Sequence, residues 1–272
     1  MIKERKTWGA RVLIGVVMIY MGILIIAPLV GLVTGVFERG LQPVFLTLTS
    51  PLLHQSLSLS LQIALVVVVV QTIFGTLIAW VLVRQDFRFK SVLNGFIDIP
   101  FAISGVVVGY MLLLLFGRQG LLFPLVDWLN FRVAFAVPGM FLATLFVCLP
   151  FMVREMIPVF ENLDRQQEKA AATLGANTWL RFWRVIFPQM KTALIYGITL
   201  TFARAMGEFG SVLVIGGGIR GRTETATVFI FRSLDERRFV DAYVAALILG
   251  FLSVLIVLVA DGIKKAREKK ES

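Results

Sequence analysis

Residues 61–83 read LQIALVVVVVQTIFGTLIAWVLV. In a soluble protein the five valines Val66–Val70 would suit a β-strand, because β-branched side chains fit extended backbone. In lipid a lone strand leaves its N–H and C=O groups without partners, whereas a helix satisfies them internally. The composition around the stretch settles the solvent. The chain has 272 residues, 58% of them hydrophobic and 16% charged, with a mean hydropathy of +0.85. A soluble domain carries more charge than that. The stretch therefore reads as part of a membrane helix over about 57–83, and the chain as an all-α polytopic membrane protein.

Five more apolar runs follow the same logic, at about 12–36, 93–116, 133–153, 192–215 and 240–261. From Val12 to Phe37 there are 26 residues without a charge. That is longer than the ~7–15 apolar residues of a signal peptide, so the run reads as an uncleaved first span. Six transmembrane helices put both termini on one side. Of the 27 lysines and arginines, 18 fall at the N-terminus, in 84–90, in 154–191 and in the tail from Lys264; 8 fall in the alternate connections, and Arg204 lies within a span. The richer side is cytoplasmic by the positive-inside rule. Both termini are thus expected in the cytoplasm, and the +10 charge reflects membrane orientation rather than nucleic-acid binding. No repeat, linker or soluble catalytic domain is visible, so 1–272 is expected to form a single transmembrane domain in the cell (inner) membrane.

Chemistry-bearing residues are sparse. Cys148 is the single cysteine and His54 the single histidine, which excludes a metal framework and an HExxH protease. No GxSxG-like turn suggests a serine enzyme. No catalytic or metal-binding residue is expected. Residues 216–223, GGGIRGRT, come within one substitution of the phosphate-cradling pattern GxxxxGK[ST]. The loop falls between the fifth and sixth spans, on the side where ATP is not available, and Arg222 holds the lysine position. It reads as a tight glycine turn carrying Arg220 and Arg222, which either meet an anion or acidic partner protein or form a solvated basic loop.

The connection 154–191 contains a helical stretch around Glu168–Leu174, in which Ala171 and Gly175 lie one turn apart and would share a small-residue face. Such a face suits docking into a partner's groove; an interfacial helix on the membrane surface is the alternative. Trp179, Phe182, Trp183 and Ile186 follow, and Pro188 is expected to break the pattern before the fifth span.

The stretch EKAAATLGANTWLRFWRVIFP (168–188) resembles the EAA loop of ABC-importer permease subunits. Ala170 and Ala171 take the alanine positions, Gly175 the glycine, and Ile186, Phe187 and Pro188 the close. The glutamate's position holds Lys169, with Glu168 one residue earlier, as in the sulfate-type branch. FGTLIAWVLVRQDF, DIPFAISGVVVGY, LPFMVREMIPV and ARAMGEFGSVLVIGGGIRGRTET extend the resemblance over about 10–262 to CysW-type sulfate/thiosulfate permease subunits in the sulfate/molybdate branch. The resemblance implies a type I ABC-importer permease fold and alternating access. It implies a related permease partner (a heterodimer), two copies of an ABC ATPase, and an extracytoplasmic oxyanion-binding protein. ATP and Mg would be bound by the ATPases and no cofactor by this chain. Glu168, Ala170, Ala171, Leu174, Gly175 and Pro188 would couple to the ATPase. The substrate would be sulfate/thiosulfate, with molybdate/tungstate as the alternative. A secondary transporter is a remoter reading, because no internal repeat is visible and there is only one candidate charge pair within the spans.

Charges within spans are functional candidates. Arg204 and Glu208 are four residues apart and can pair, either as a pathway or gate element or as a salt bridge that fixes packing. Asp98, beside Pro100, is expected at a helix cap or loop. Gly105/Gly109 and Gly31/Gly35 have the spacing of close helix contacts. Ser104, Gly105 and Thr201 are candidates for the translocation path.

Overall fold

The computed structural model describes residues 8–271, with side chains at 8–259, 261 and 262. Lys3, Arg5, Lys6 and the side chains of the basic tail from Lys264, which enter the orientation count, lie outside the described residues. Within them the chain is helical and has no strand. In order the helices are α1 (Trp8–Phe37), α2 (Leu41–Leu48), α3 (Pro51–Arg84), α4 (Lys90–Ala102), α5 (Gly105–Phe116), α6 (Phe123–Trp128), α7 (Val137–Asn162), α8 (Arg165–Thr173) and α9 (Thr178–Arg181). A π-turn over Phe182–Ile186 joins α9 to α10 (Phe187–Met206), followed by α11 (Gly210–Gly216), α12 (Ala226–Asp235) and α13 (Phe239–Glu271).

Five segments are long and apolar enough to cross a membrane: α1, α3, α7, the continuous Thr178–Met206, and Phe239–Val259 of α13. The third expected span, 93–116, is not one helix. It is α4 and α5, bent by 112° at Ile103–Ser104. Pro100 removes a donor from the last turn of α4, Ile103 is extended, and Ser104 caps α5 by accepting from Val107 N–H at 3.4 Å. Hydropathy is blind to such a break.

The fifth expected span, 192–215, is displaced. Its helix starts at Thr178, ends at Met206, and resumes as α11 after a break at Gly207–Phe209. Pro188 does not end the pattern. Just before it the helix widens into the π-turn, where Phe187 N–H bonds Phe182 C=O, and this wider turn accommodates the proline ring and its missing donor. The connection expected over 154–191 shrinks correspondingly to 163–177, because Arg154, Glu155 and Lys191 interrupt hydropathy but not helix.

α3, α7, α10 and α11 build the core. Ile63, Val67, Met140, Ala143, Cys148, Phe202 and Val212 pack together towards one end. Ala79, Leu82, Met152, Val153 and Phe160 pack towards the other. Val36, Leu53, Phe229 and Val240 form a third cluster that joins α1, α3, α12 and α13. The rest of α1 turns its apolar side chains outward. Of the two spaced glycine pairs, Gly105 and Gly109 both press against α11, whereas in α1 Gly35 meets Tyr243 and Gly31 meets nothing.

Candidate functional site

α8 stands at the end of the bundle where α7 stops. Its sequence, RQQEKAAAT, offers no apolar stripe, and none of its residues is buried. Asp164 caps its start by accepting from Gln166 N–H at 2.8 Å. Its end is a Schellman turn: Gly175 N–H bonds Ala172 C=O and Ala176 N–H bonds Ala171 C=O, both at 3.0 Å. Gly175 has φ +82° and lies just past the helix rather than on its face. Asn177 then caps α9 by accepting from Leu180 N–H at 2.8 Å. Leu174 is 87% exposed and Trp179 69%. Ala170 and Ala172 are also exposed, and Ala171 is half-buried. Glu168 turns inward and pairs with Arg84, the last residue of α3. Pro188 is exposed in the first turn of α10, next to Gln189, whose Nε2 donates to Gln167 Oε1 of α8 at 3.1 Å.

The second group lies where the two helix breaks meet. Glu208, 3% exposed, follows the end of α10, and its Oε1 accepts from Ser211 N–H at 3.0 Å and Ser211 O–H at 2.6 Å at the start of α11. Arg204 Nη1 lies 2.7 Å from Oε2, an ion pair without an aligned hydrogen bond. Gly105 opens α5 directly opposite: a Cβ there would lie 2.8 Å from Glu208 Oε1 and 3.2 Å from Ser211 N. Ser104 is exposed beside it. Arg204, Glu208, Ser104 and Gly105 therefore come together. Thr201, one turn before Arg204 in α10, is fully buried: its Oγ1 has no hydrogen-bond partner among the described residues, and its carbonyl faces Cys148 Sγ at 4.0 Å.

The glycine loop 216–223 lies at the opposite end from α8. Gly217, Gly218 and Gly221 all have positive φ, which glycine alone adopts freely. Thr223 O–H donates to Gly216 C=O at 2.7 Å and accepts from Ile219 N–H at 2.9 Å. The amides of Ile219, Arg222 and Thr223 are thus spent inside the turn, and that of Gly217 on Leu213 C=O of α11. Arg232 holds it from below through Glu224 Oε1 at 2.7 Å and Gly218 C=O. Burial pushes the Glu224 carboxyl above its usual range, and the Arg232 guanidinium pulls the other way. Arg220 is paired with Glu236, whereas Arg222 is exposed and has no partner among the described residues. Desolvation raises the Glu236 carboxyl, but Arg220 and Arg238 together outweigh it and hold it below the usual range.

Residues 71–271 match the family described as binding-protein-dependent transport system inner membrane component. The chain belongs to that family. The permease is 41% identical over 271 residues, all of this chain and 94% of the relative, to the sulfate transport system permease protein CysW of Synechococcus elongatus. It is 42% identical over 259 residues, 95% of this chain and 70% of the relative, to a chloroplastic sulfate permease 2 of Chlamydomonas reinhardtii. In fold it matches a chain of a bacterial alginate ABC transporter solved in complex with an alginate-bound periplasmic protein, with a TM-score of 0.79, 15% identity, and 95% and 94% of the two chains covered. The permease has the type I ABC-importer fold and is a multi-pass inner-membrane protein.

Sequence reasoning missed three parts of the permease. Arg84, by sequence only one of the orienting charges, closes α3 on Glu168 of α8. Asp98 is not a cap: it sits inside α4 and pairs with Arg154 of α7, Oδ1 to Nε at 2.8 Å and Oδ2 to Nη2 at 2.5 Å, while Asn94 Oδ1 takes Arg154 Nη1 at 2.9 Å. This clamp fixes the bent α4 against α7. The third is a chain of charges from Arg220 through Glu236 and Arg238 to Asp241, which accepts from Thr47 at 2.5 Å and so links the glycine loop, α13 and α2. No spacing rule brings such distant positions together.

Proposed function

We propose that this permease imports a tetrahedral oxyanion, sulfate or thiosulfate, by alternating access in an ATP-driven, binding-protein-dependent complex. The whole-length likeness to a relative named as a sulfate permease carries the substrate class. The projecting α8 with its exposed Leu174 supports coupling, since a helix with no buried residue and an apolar tip suits a partner's groove. In this reading the permease does no covalent chemistry. A related permease completes the pathway as a heterodimer, and two ATPase subunits carry ATP and Mg and receive the coupling helices. Glu168, Ala170, Ala171, Leu174 and Gly175 form the coupling element. An extracytoplasmic oxyanion-binding protein meets the glycine loop, where Arg222 rather than Arg220 is free to contact it. The junction of Ser104 and Gly105 with Arg204 and Glu208 forms the gate. Within that gate the Arg204–Glu208 pair pins the junction, and because Glu208 neutralises Arg204 no free charge is left to trap a dianion, as conduction requires sites weak enough to leave.

The test is oxyanion-stimulated ATP hydrolysis by the reconstituted complex with loaded binding protein. Stimulation by sulfate is expected. Stimulation by molybdate alone would overturn the substrate, and stimulation by neither would overturn the oxyanion reading.

The lysine and arginine distribution supports α8 and both termini facing the cytoplasm. Ala172→Cys is expected to react with a membrane-impermeant thiol reagent only from the cytoplasmic side, and Arg222→Cys only from outside. The native Cys148 is buried and leaves the background low. The reverse pattern would invert the topology.

A further inference from the structure

We infer that Arg84 is a positioning residue of the coupling machinery, and that its ion pair with Glu168 carries the movement of α8 into α3. The inference rests on the function proposed above. α8 has no buried residue to grip the bundle. Among the described residues two polar side-chain links join it to other helices: an exposed Gln189–Gln167 hydrogen bond at 3.1 Å, and the enclosed Arg84–Glu168 pair. The Arg84 side chain is 9% exposed, so the pair is shielded from water and salt. Its guanidinium lies 4.9 Å above the Trp80 ring, which itself stands edge-on to Phe160 of α7 at 5.2 Å. Arg84 meets Glu168 through Nη2, and its buried Nε has no hydrogen-bond partner among the described residues, so removing Glu168 strands an enclosed charge.

What α3 touches gives the link its direction. The helix has 34 residues, about 50 Å at 1.5 Å each. Midway, Gln71 donates to Leu145 C=O of α7 at 2.7 Å. Near its start, Ser60 Oγ accepts from Ala226 N–H, the first residue of α12, at 2.8 Å. Glu224, which braces the glycine loop through Arg232, lies two residues before that contact. One rigid helix therefore connects the coupling element to the opposite end of the permease, with a polar joint at each level.

Intermediacy in space is not coupling, so the test is a charge swap. In the complex reconstituted with partner permease, ATPase and sulfate-loaded binding protein, sulfate transported per ATP hydrolysed is measured for Arg84→Glu, Glu168→Arg, Glu168→Gln and the double swap. This ratio is independent of yield. It is expected to fall about tenfold in the charge-reversed singles, less in Glu168→Gln, and to regain at least half of the loss in the swap. An unchanged ratio in the singles, or a swap no better than they are, overturns the inference. A wild-type complex that ignores loaded binding protein would instead fault the proposed function, before any variant is compared.

Discussion

Gly175→Glu is expected to abolish association with the ATPase while leaving membrane insertion intact. Gly175 closes α8 in the left-handed region at φ +82°, where an L side chain costs about 1–2 kcal/mol. The two 3.0 Å hydrogen bonds of the Schellman turn depend on that conformation and set the angle between α8 and α9. No atom lies within 4 Å of the place a Cβ would occupy. The glutamate would thus project from the exposed end of α8, beside Leu174, and would place a charge to be desolvated on the docking surface. Since α8 contributes nothing buried to the bundle, the membrane part has no reason to unfold. Gly175→Ala separates the two costs: it keeps the strain without the charge, and is expected to weaken the complex rather than abolish it. Co-purification of the ATPase with each variant reads the result. A fully assembled and active Gly175→Glu complex would show that α8 is not the docking element.

What could be read from the sequence follows from which physics acts locally. The helices α1, α3, α7 and α13 announce themselves because lipid demands long uncharged runs, and the Val66–Val70 segment is helical for the reason given by backbone satisfaction. The bend at Ile103–Ser104 and the break at Gly207–Phe209 escape hydropathy, since both flanks stay apolar. Pro188 misleads because a π-turn, invisible to any period, admits it. The Arg204–Glu208 pair is local and follows from a four-residue spacing. Arg84–Glu168 and Asp98–Arg154 join positions 84 and 56 residues apart, and only the packing of α3, α4 and α7 brings them within reach. Motif resemblance points to the loop proposed for coupling, whereas the partner of its glutamate comes from the fold.

Glu208→Ala is expected to destabilise the permease by about 3 kcal/mol, the low end of the range for breaking a buried ion pair from one side, because the Arg204 side chain is 33% exposed. The carboxylate does two jobs at once: Oε1 receives both donors of Ser211 at the start of α11, and Oε2 neutralises Arg204. Alanine would orphan all three groups and open a void against Gly105, whose backbone now sits close to the carboxylate. Glu208→Gln keeps an oxygen for Ser211 but leaves Arg204 unneutralised, so an intermediate loss is expected. Arg204→Met combined with Glu208→Gln removes both charges and is expected to recover most of the stability, because a paired charge in apolar surroundings contributes little net energy. Thermal unfolding in detergent measures this series. Transport by the double variant then tells the two readings of the pair apart. If the pair serves to pin the junction of α5, α10 and α11, the double variant transports nearly as well as wild type, and this is the outcome the geometry favours. A folded double variant that no longer transports would assign Arg204 to the anion itself.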